Sequence, residues 1–284
     1  MTFVDFQWRR IRSQFAAEVD CTVSVQPATV RTAVGLVRLL GAAVCVTALI
    51  SRFVWGLGTV TFTPANFFAY LTIQSNLAFV TVTATAAIMA LRMPQDPGWL
   101  TTARAVALSC TVSAGAVYAL LVQQAGMRGV PITVPWSDQV LHFWLPTLAI
   151  LEWVLAPGRG RARWRTVFLV LGYTVLWGVL TLVRGPIVGW YPYFFLDPKQ
   201  VGSVGEFFLF SGVALVSFGS ISSGIVALGR IRPLFSRLLA SMKGGVGQNS
   251  AGHENSDQKH TGEKGAIQPV AGEGPARLSV GERP

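Results

Sequence analysis

The sequence predicts an all-α bundle of six membrane-spanning helices with both termini in the cytoplasm. Three observations lead to this fold. Of the 284 residues, 51% are hydrophobic and only 13% are charged, a balance typical of polytopic membrane proteins. The apolar residues stand in long blocks of roughly 18 to 25 residues, the length that crosses about 30 Å of hydrocarbon. Basic residues concentrate in alternate connecting segments, which predicts an orientation.

Six blocks are long enough to be spans. They are Thr32 to Val54, Phe67 to Leu91, Ala103 to Val122, Gln139 to Ala156, Thr166 to Val183 and Glu206 to Gly229, the fourth being the shortest. They divide the chain into an N-terminal segment (residues 1–31), a transmembrane domain (32–230) and a basic juxtamembrane segment with a polar tail (231–284). The tail is rich in Gly, Ser, Asn, Glu and Lys, so we expect it to be disordered.

The orientation follows from arginine and lysine, which are retained in the cytoplasm beside spans. Four regions predicted to be inside hold most of them: Arg9, Arg10, Arg12, Arg31, Arg92, Arg104, Arg159, Arg161, Arg163, Arg165, Arg230, Arg232, Arg237 and Lys243. The opposite loops hold Arg52, Arg128, Arg184 and Lys199. The net charge of +10 is then a consequence of topology, and its expected partners are anionic membrane lipids, not nucleic acid.

The start of the second span is unusually polar. In the stretch Tyr70 to Phe79, YLTIQSNLAF, the residues Thr72, Ser75 and Asn76 have the i, i+3, i+4 spacing of one helical face. If the span enters from outside near Phe67, Thr72 lies roughly 7 to 9 Å along the helix, in the outer leaflet. This face is expected to point away from lipid.

The hydrophobic body contains a single histidine, His142, in WSDQVLHFWLP. The fourth span also enters from outside, near Gln139, so His142 is expected at the depth of Thr72. Asp138 precedes it by four positions, where its carboxylate can orient the imidazole. Pro146 follows by four positions and removes a helical hydrogen bond, so the helix is expected to open or bend beside the histidine.

A third polar element follows the fifth span, in LVRGPIVGWYPYFFLDP. Arg184 stands at the membrane edge, and Trp190 and Tyr191 are residue types that prefer the interface. The prolines and glycines predict a shaped segment that caps a cavity over Thr72 and His142. Arg184 is suited to bind a carboxylate or phosphate there.

These residue types support a hydrolytic mechanism without a metal or cofactor. A threonine hydroxyl needs a neighbouring base, and a neutral histidine suits that role near neutral pH. Thr72 would be the nucleophile, His142 the base and Asp138 its orienting group. Ser75 or Asn76 would donate to the oxyanion, an interaction whose loss costs roughly 2.7 to 4 kcal/mol of barrier in known hydrolases.

The same residues carry a resemblance to known membrane proteins. The six-span layout, the triplet Tyr70, Leu71 and Thr72, and His142 resemble the androgen-induced and androgen-dependent TFPI-regulating family of membrane hydrolases. The stretches TIQSN, LHFWLP and RGPIVGWYPYFFLDP are more similar to the bacterial Pr-six-Pr type membrane proteins, over about Val30 to Arg230. The resemblance implies a protein of the bacterial plasma membrane in which Thr72 and His142 cleave fatty-acid esters, with a lipidic ester as substrate.

Structural explanations compete with these roles. Thr72 can back-bond to its own helix, Ser75 and Asn76 can fasten helices together, and Arg184 with its aromatic neighbours can anchor the interface. Glu152, near the cytoplasmic end of the fourth span, is expected to reach the headgroups or a basic neighbour.

Two other functions stay open from the sequence. Intramembrane polar residues also mark ion and proton paths, as in a small-solute transporter or channel. A non-catalytic scaffold that binds lipid is the third possibility. Catalysis, transport and lipid binding thus all stay open from the sequence.

Overall fold

The computed structural model describes residues 28–60, 62–127, 134–231 and 233–234, and the polar tail and residues 1–27 lie outside the described residues. Every regular element in the described part is helical, which confirms the all-α class. The elements are α1 (Ala28–Leu57), α2 (Pro64–Ala69), α3 (Leu71–Arg92), α4 (Gly98–Met127), α5 (Trp136–Gln139), a π-helical turn (Val140–Trp144), α6 (Leu145–Leu155), α7 (Arg165–Val188), a 3-10 turn (Phe194–Leu196) and α8 (Val204–Arg230).

Within these residues, five helices are long and apolar enough to cross a membrane: α1, α3, α4 as far as Gln123, α7 and α8. Their outer faces expose large apolar side chains such as Leu40, Phe168 and Leu209. So extensive an apolar surface is unsuited to water and fits contact with lipid, as in an integral membrane protein. The count of six spans and the side on which each terminus lies stay predictions.

The fourth predicted span is helical but divided. It runs through α5, the π-helical turn and α6, in all 20 residues, or about 30 Å at 1.5 Å per residue. Pro146 lacks an N–H, so the carbonyl of His142 loses its usual partner, and the chain widens into a π turn in which the Leu145 N–H donates to Val140. The expected opening of the helix beside His142 is confirmed in this form.

The π turn also brings two helices unusually close. A Cβ added to Gly115 of α4 would lie 2.2 Å from the carbonyl oxygen of His142. A residue larger than glycine at this position would force α4 and the fourth segment apart.

The second predicted span is broken near its start. α2 begins with Pro64 in its first turn and ends at Tyr70, whose extended backbone (φ −64°, ψ 130°) separates it from α3. Thr72 therefore lies in the first turn of α3, and the expectation that it lies roughly 7 to 9 Å inside a continuous helix is wrong. Hydropathy could not predict this break, because the apolar residues continue through Phe67 and hydropathy carries no information on backbone dihedrals.

Contacts between connecting segments define two ends of the bundle. At the basic end of the bundle, α1 and α4 begin and α3, α6 and α8 end. There the Asp96 N–H donates to the Gly158 carbonyl, and the Ala162 N–H donates to the Gly229 carbonyl. At the aromatic end, the Trp177 indole of α7 donates to the Ala69 carbonyl at 3.0 Å. Successive long segments thus run in opposite directions.

Helix α4 lies at the centre of the bundle. It is the most buried of the five long helices, and it contacts α3, α6, α7 and α8. Its residues Ser109, Thr111 and Ser113 are all fully buried, although Thr111 lies on nearly the opposite side of the helix from the other two. Small polar residues let helix backbones approach closely in membranes. α1 packs mainly on α3, at the edge of the bundle.

The loop between α7 and α8 has defined boundaries. α7 ends at Gly189, whose left-handed backbone (φ 66°) stops the helix. α8 begins with a reciprocal cap: the Ser203 hydroxyl accepts from the Glu206 N–H at 3.1 Å, and the Glu206 carboxylate accepts from the Gly202 N–H at 2.9 Å. These caps hold the aromatic segment between them over the α2–α3 junction.

Candidate functional site

The polar face of α3 points into the protein, as expected. Thr72, Ser75 and Asn76 are all buried. The Ser75 hydroxyl and the Asn76 amide both donate to the Thr72 carbonyl, at 3.0 and 2.9 Å. Thr111 of α4 donates to the Ser75 carbonyl at 3.4 Å. The two side chains predicted to serve an oxyanion thus bind the backbone of their own helix.

The Thr72 hydroxyl lies 3.5 Å from the phenol oxygen of Tyr193. The Tyr193 ring stacks on Phe195 and meets Tyr70 edge to face. Desolvation raises the pKa of the Tyr193 phenol to about 12. This neighbour is therefore protonated near neutral pH and is not a base for Thr72.

His142 lies against a different helix. Its ring stacks on Tyr118 of α4, with centroids 3.8 Å apart and planes 17° from parallel. Its Nδ1 lies 2.8 Å from the backbone carbonyl of Asp138. Because a carbonyl only accepts, this contact assigns the proton to Nδ1 and leaves Nε2 as the basic nitrogen. No hydrogen bond between described residues joins His142 to Thr72.

The carboxylate of Asp138 binds Arg52, at the far end of α1, with 2.7 Å between Oδ1 and Nε. It does not contact the imidazole, contrary to the expectation from the spacing. Helical geometry brings the His142 ring onto the Asp138 carbonyl, and the Arg52 guanidinium attracts the carboxylate outward. Arg52 also lies over the Trp55 ring, 4.4 Å from its centroid.

The remaining predicted residues pack the loop onto the bundle. Arg184 donates to the Asn66 side chain at 2.6 Å and lies 5.7 Å from the Trp190 ring. Trp190 meets Tyr70 edge to face at 5.3 Å. Tyr191 lies directly against Gly185, where a Cβ would be 2.0 Å from its ring. The segment covers the start of α3, where Thr72 lies, and these contacts do not include His142, over which a cap was also predicted.

A small cavity lies between α3 and α7. Its volume is about 160 Å³, and Gln74, Tyr173, Trp177 and Arg184 contribute to its lining. The Tyr173 hydroxyl donates to Gln74 across it at 2.9 Å. Ligand sites for drug-sized molecules occupy about 300 to 1,000 Å³. This cavity therefore has room for a small polar solute but not for a lipid ester.

The basic end holds a buried network of charges. Asp96, in the loop before α4, has a fully buried side chain that accepts from Arg31 at 2.8 Å and from Arg38 and Arg104 at 3.1 Å. Glu152 of α6 accepts from Arg38 Nε at 2.9 Å and from Arg104 Nη2. These five side chains, here called the charge cluster, join α1, α4, α6 and the α3–α4 loop.

Electrostatic interactions decide the protonation of Asp96 and with it the net charge of the cluster. Burial by itself raises the pKa of Asp96, but the guanidiniums of Arg38 and Arg104 outweigh it and hold the pKa below its usual value. Asp96 is therefore ionised at neutral pH. With three guanidiniums and two carboxylates, the cluster carries one excess positive charge among the described residues.

A large groove opens from the cluster along the bundle. Its volume is about 850 Å³, and its walls are α1 and the fourth segment, with α3 and α4 as its floor. Val37 and Val44 line one wall and Leu148 and Leu151 the other, and all four are exposed to the surroundings. Arg38, Arg104 and Glu152 also line it, part-way along, and the lining continues past them to Thr29 and Pro157 at the basic end. The groove is apolar apart from this charged section.

The sequence predictions do not include this region: Arg31 and Arg104 enter them only as signals of orientation, and Arg38 and Asp96 belong to no motif. The expectation that Glu152 reaches a basic neighbour is confirmed by its contacts. A usable signal was present, because charges placed inside apolar spans are costly and are usually paired or functional.

The chain matches no family model, no curated protein and no solved structure. No comparison therefore links it to a family, and any functional assignment depends on the site itself.

Proposed function

We propose that this chain is an integral membrane protein that binds a lipid-like amphiphile in the groove between α1 and the fourth segment. The observation that carries the proposal is the combination of a long apolar groove with buried charges part-way along it. A hydrocarbon chain suits the apolar section and a polar headgroup the charged one.

The dimensions support this reading. The α1 wall extends from Thr29 to Val44, about 22 Å at 1.5 Å per residue, which is most of one hydrocarbon thickness. The volume of about 850 Å³ lies in the upper part of the range of ligand sites, about 300 to 1,000 Å³. Because the walls are exposed between α1 and α6, a lipid can enter sideways from the bilayer.

Hydrolysis of a lipid ester by Thr72 and His142 is a second hypothesis, supported by the burial of both residues and by the unprotonated Nε2 of His142. It requires a rearrangement, because the two side chains have separate partners, Tyr193 for Thr72 and Tyr118 for His142. Binding in the groove requires no such rearrangement and is therefore the better-supported function.

Two glycines provide a matched test. A Cβ at Gly41, which lines the groove, or at Gly212 of α8, which does not, meets nothing within 4 Å. The protein and its Gly41→Trp and Gly212→Trp variants are purified in mild detergent, and bound lipids are identified by native mass spectrometry. We expect a retained amphiphile in the wild type and in Gly212→Trp, and its loss in Gly41→Trp. Equal retention in all three, or no retained lipid in folded wild type, would refute the proposal.

A further inference from the structure

The members of the charge cluster are unequally placed around the groove. Arg38, Arg104 and Glu152 line it, whereas Asp96 and Arg31 do not. The Asp96 side chain is 0% exposed and that of Glu152 is 19% exposed. Asp96 is thus the structural anion that holds three arginines together, and Glu152 is the anion on the groove side.

The arginines keep capacity for another acceptor. An arginine carries five N–H donors, and the side-chain hydrogen bonds of Arg104 to Asp96 and Glu152 account for two of them. Arg38 uses four of its donors on Glu152, Asp96 and the Ala86 carbonyl. The two groove-lining arginines therefore keep unused donors, and the cluster keeps its excess positive charge, inside an otherwise apolar groove.

We infer that the occupant of the groove is an amphiphile with an anionic headgroup, a carboxylate or a phosphate, bound on the groove side of Arg38 and Arg104. This inference rests on the proposed function and names the chemical class of its ligand. The anion would neutralise the excess charge of the cluster. Guanidinium groups match the geometry of both headgroups, and the apolar surroundings strengthen the attraction.

Glu152 sets the affinity in this arrangement. Its carboxylate binds the same two arginines from the groove side and therefore repels the incoming anion. Its isostere, glutamine, would remove that repulsion and raise the positive charge of the cluster by one unit. The variant should bind an anionic ligand more tightly, an effect that a merely damaged protein would not produce.

The test compares three amphiphiles of equal chain length: a fatty acid, a lysophosphatidic acid and the uncharged fatty alcohol. Dissociation constants are measured by titration of the full chain in lipid nanodiscs. We expect at least one anionic ligand to bind about tenfold or more tightly than the alcohol, and the better of the two identifies the headgroup. The preference for the anion is the dissociation constant of the alcohol divided by that of the anionic ligand. Glu152→Gln should increase this ratio, Arg104→Gln should reduce it several-fold, and Arg104→Lys should preserve part of it.

The outcomes separate the two proposals. Equal binding of acid, phosphate and alcohol, abolished by Gly41→Trp, would overturn the anionic headgroup and keep the lipid groove. Binding that Gly41→Trp leaves unchanged, or no binding of any ligand, would overturn both. If Arg104→Gln does not fold, an unchanged or narrowed ratio in Glu152→Gln still refutes the inference.

Discussion

The carboxylate of Asp96 lies against the guanidinium of Arg38, with Oδ2 3.1 Å from Nη2 and Oδ1 3.4 Å from Nη1. The pair joins the α3–α4 loop to the middle of α1, 58 positions earlier in the chain. Both side chains are buried, so water does not screen the contact. The ion pair thus connects elements that apolar packing alone would hold less specifically.

Replacing Asp96 by asparagine should destabilise the protein strongly. The substitution leaves three buried guanidiniums with Glu152 as their remaining carboxylate partner in the cluster, and breaking a buried pair by removing one partner typically costs about 3–5 kcal/mol. The measurement is the free energy of unfolding in mixed micelles. Asp197→Asn, at an exposed carboxylate in the α7–α8 loop, is the control and should change stability far less. Equal effects of the two substitutions would contradict the assigned role of Asp96.

Stability should fall in acid because of the same group. The pKa of folded Asp96 lies below its usual value, since Arg38 and Arg104 outweigh the effect of burial. A depressed pKa contributes stability that is fully present above the unfolded value, about 3.9, and is lost as pH falls through the folded pKa. Thermal unfolding between pH 6 and pH 3 should show a steeper loss below about pH 4 in wild type than in Asp96→Asn. Parallel curves would show that Asp96 does not contribute.

Gly158→Ala should also destabilise the basic end. Gly158 has a φ of 94°, and an added Cβ would lie 2.2 Å from Nη1 of Arg31. Backbone strain of this kind costs about 1–3 kcal/mol, and displacing Arg31 would add to it. Gly160→Ala is a close control, because its Cβ would lie an ordinary 3.6 Å from Thr101. Thermal unfolding should separate the two variants, and equal melting temperatures would argue against the described loop conformation.

Covalent labelling tests the hydrolase hypothesis. With the Thr72 hydroxyl beside a protonated Tyr193 and no hydrogen bond to His142, we expect a serine/threonine-directed fluorophosphonate to leave the folded wild type unlabelled. Labelling that disappears in Thr72→Ala and His142→Ala but persists in Ser75→Ala would overturn this expectation. It would show that the two residues meet in another conformation and would justify a screen of lipid esters.

The aromatic end provides a fourth stability comparison. Arg52→Gln should destabilise the protein, because it leaves the largely buried carboxylate of Asp138 without its partner. The same substitution should leave the stacking of His142 on Tyr118 intact, since the imidazole binds the Asp138 backbone. His142 imidazole NMR shifts and thermal unfolding measure the two effects. A shift change as large as that of Tyr118→Ala, which removes the stacked ring, would contradict this separation.

Several features followed from local sequence alone. Long apolar blocks require helices at membrane depth, because each backbone polar group must be paired within its own segment. The opening beside His142 followed from Pro146, since a missing N–H and a ring clash act within one turn. The inward face of Thr72, Ser75 and Asn76 followed from helical spacing and the cost of polar groups in lipid.

Only the tertiary structure decided which polar groups meet. The position of α1 places Arg52 beside Asp138, so the Asp138 carboxylate binds Arg52 and not His142. The His142 imidazole binds the backbone carbonyl of Asp138. Arg38 and Glu152 are 114 positions apart, and no local pattern specifies their contact. Side-chain pairing depends on how helices rotate and cross, and hydropathy does not encode that rotation. The charge cluster and the groove beside it became visible only when the helices were assembled.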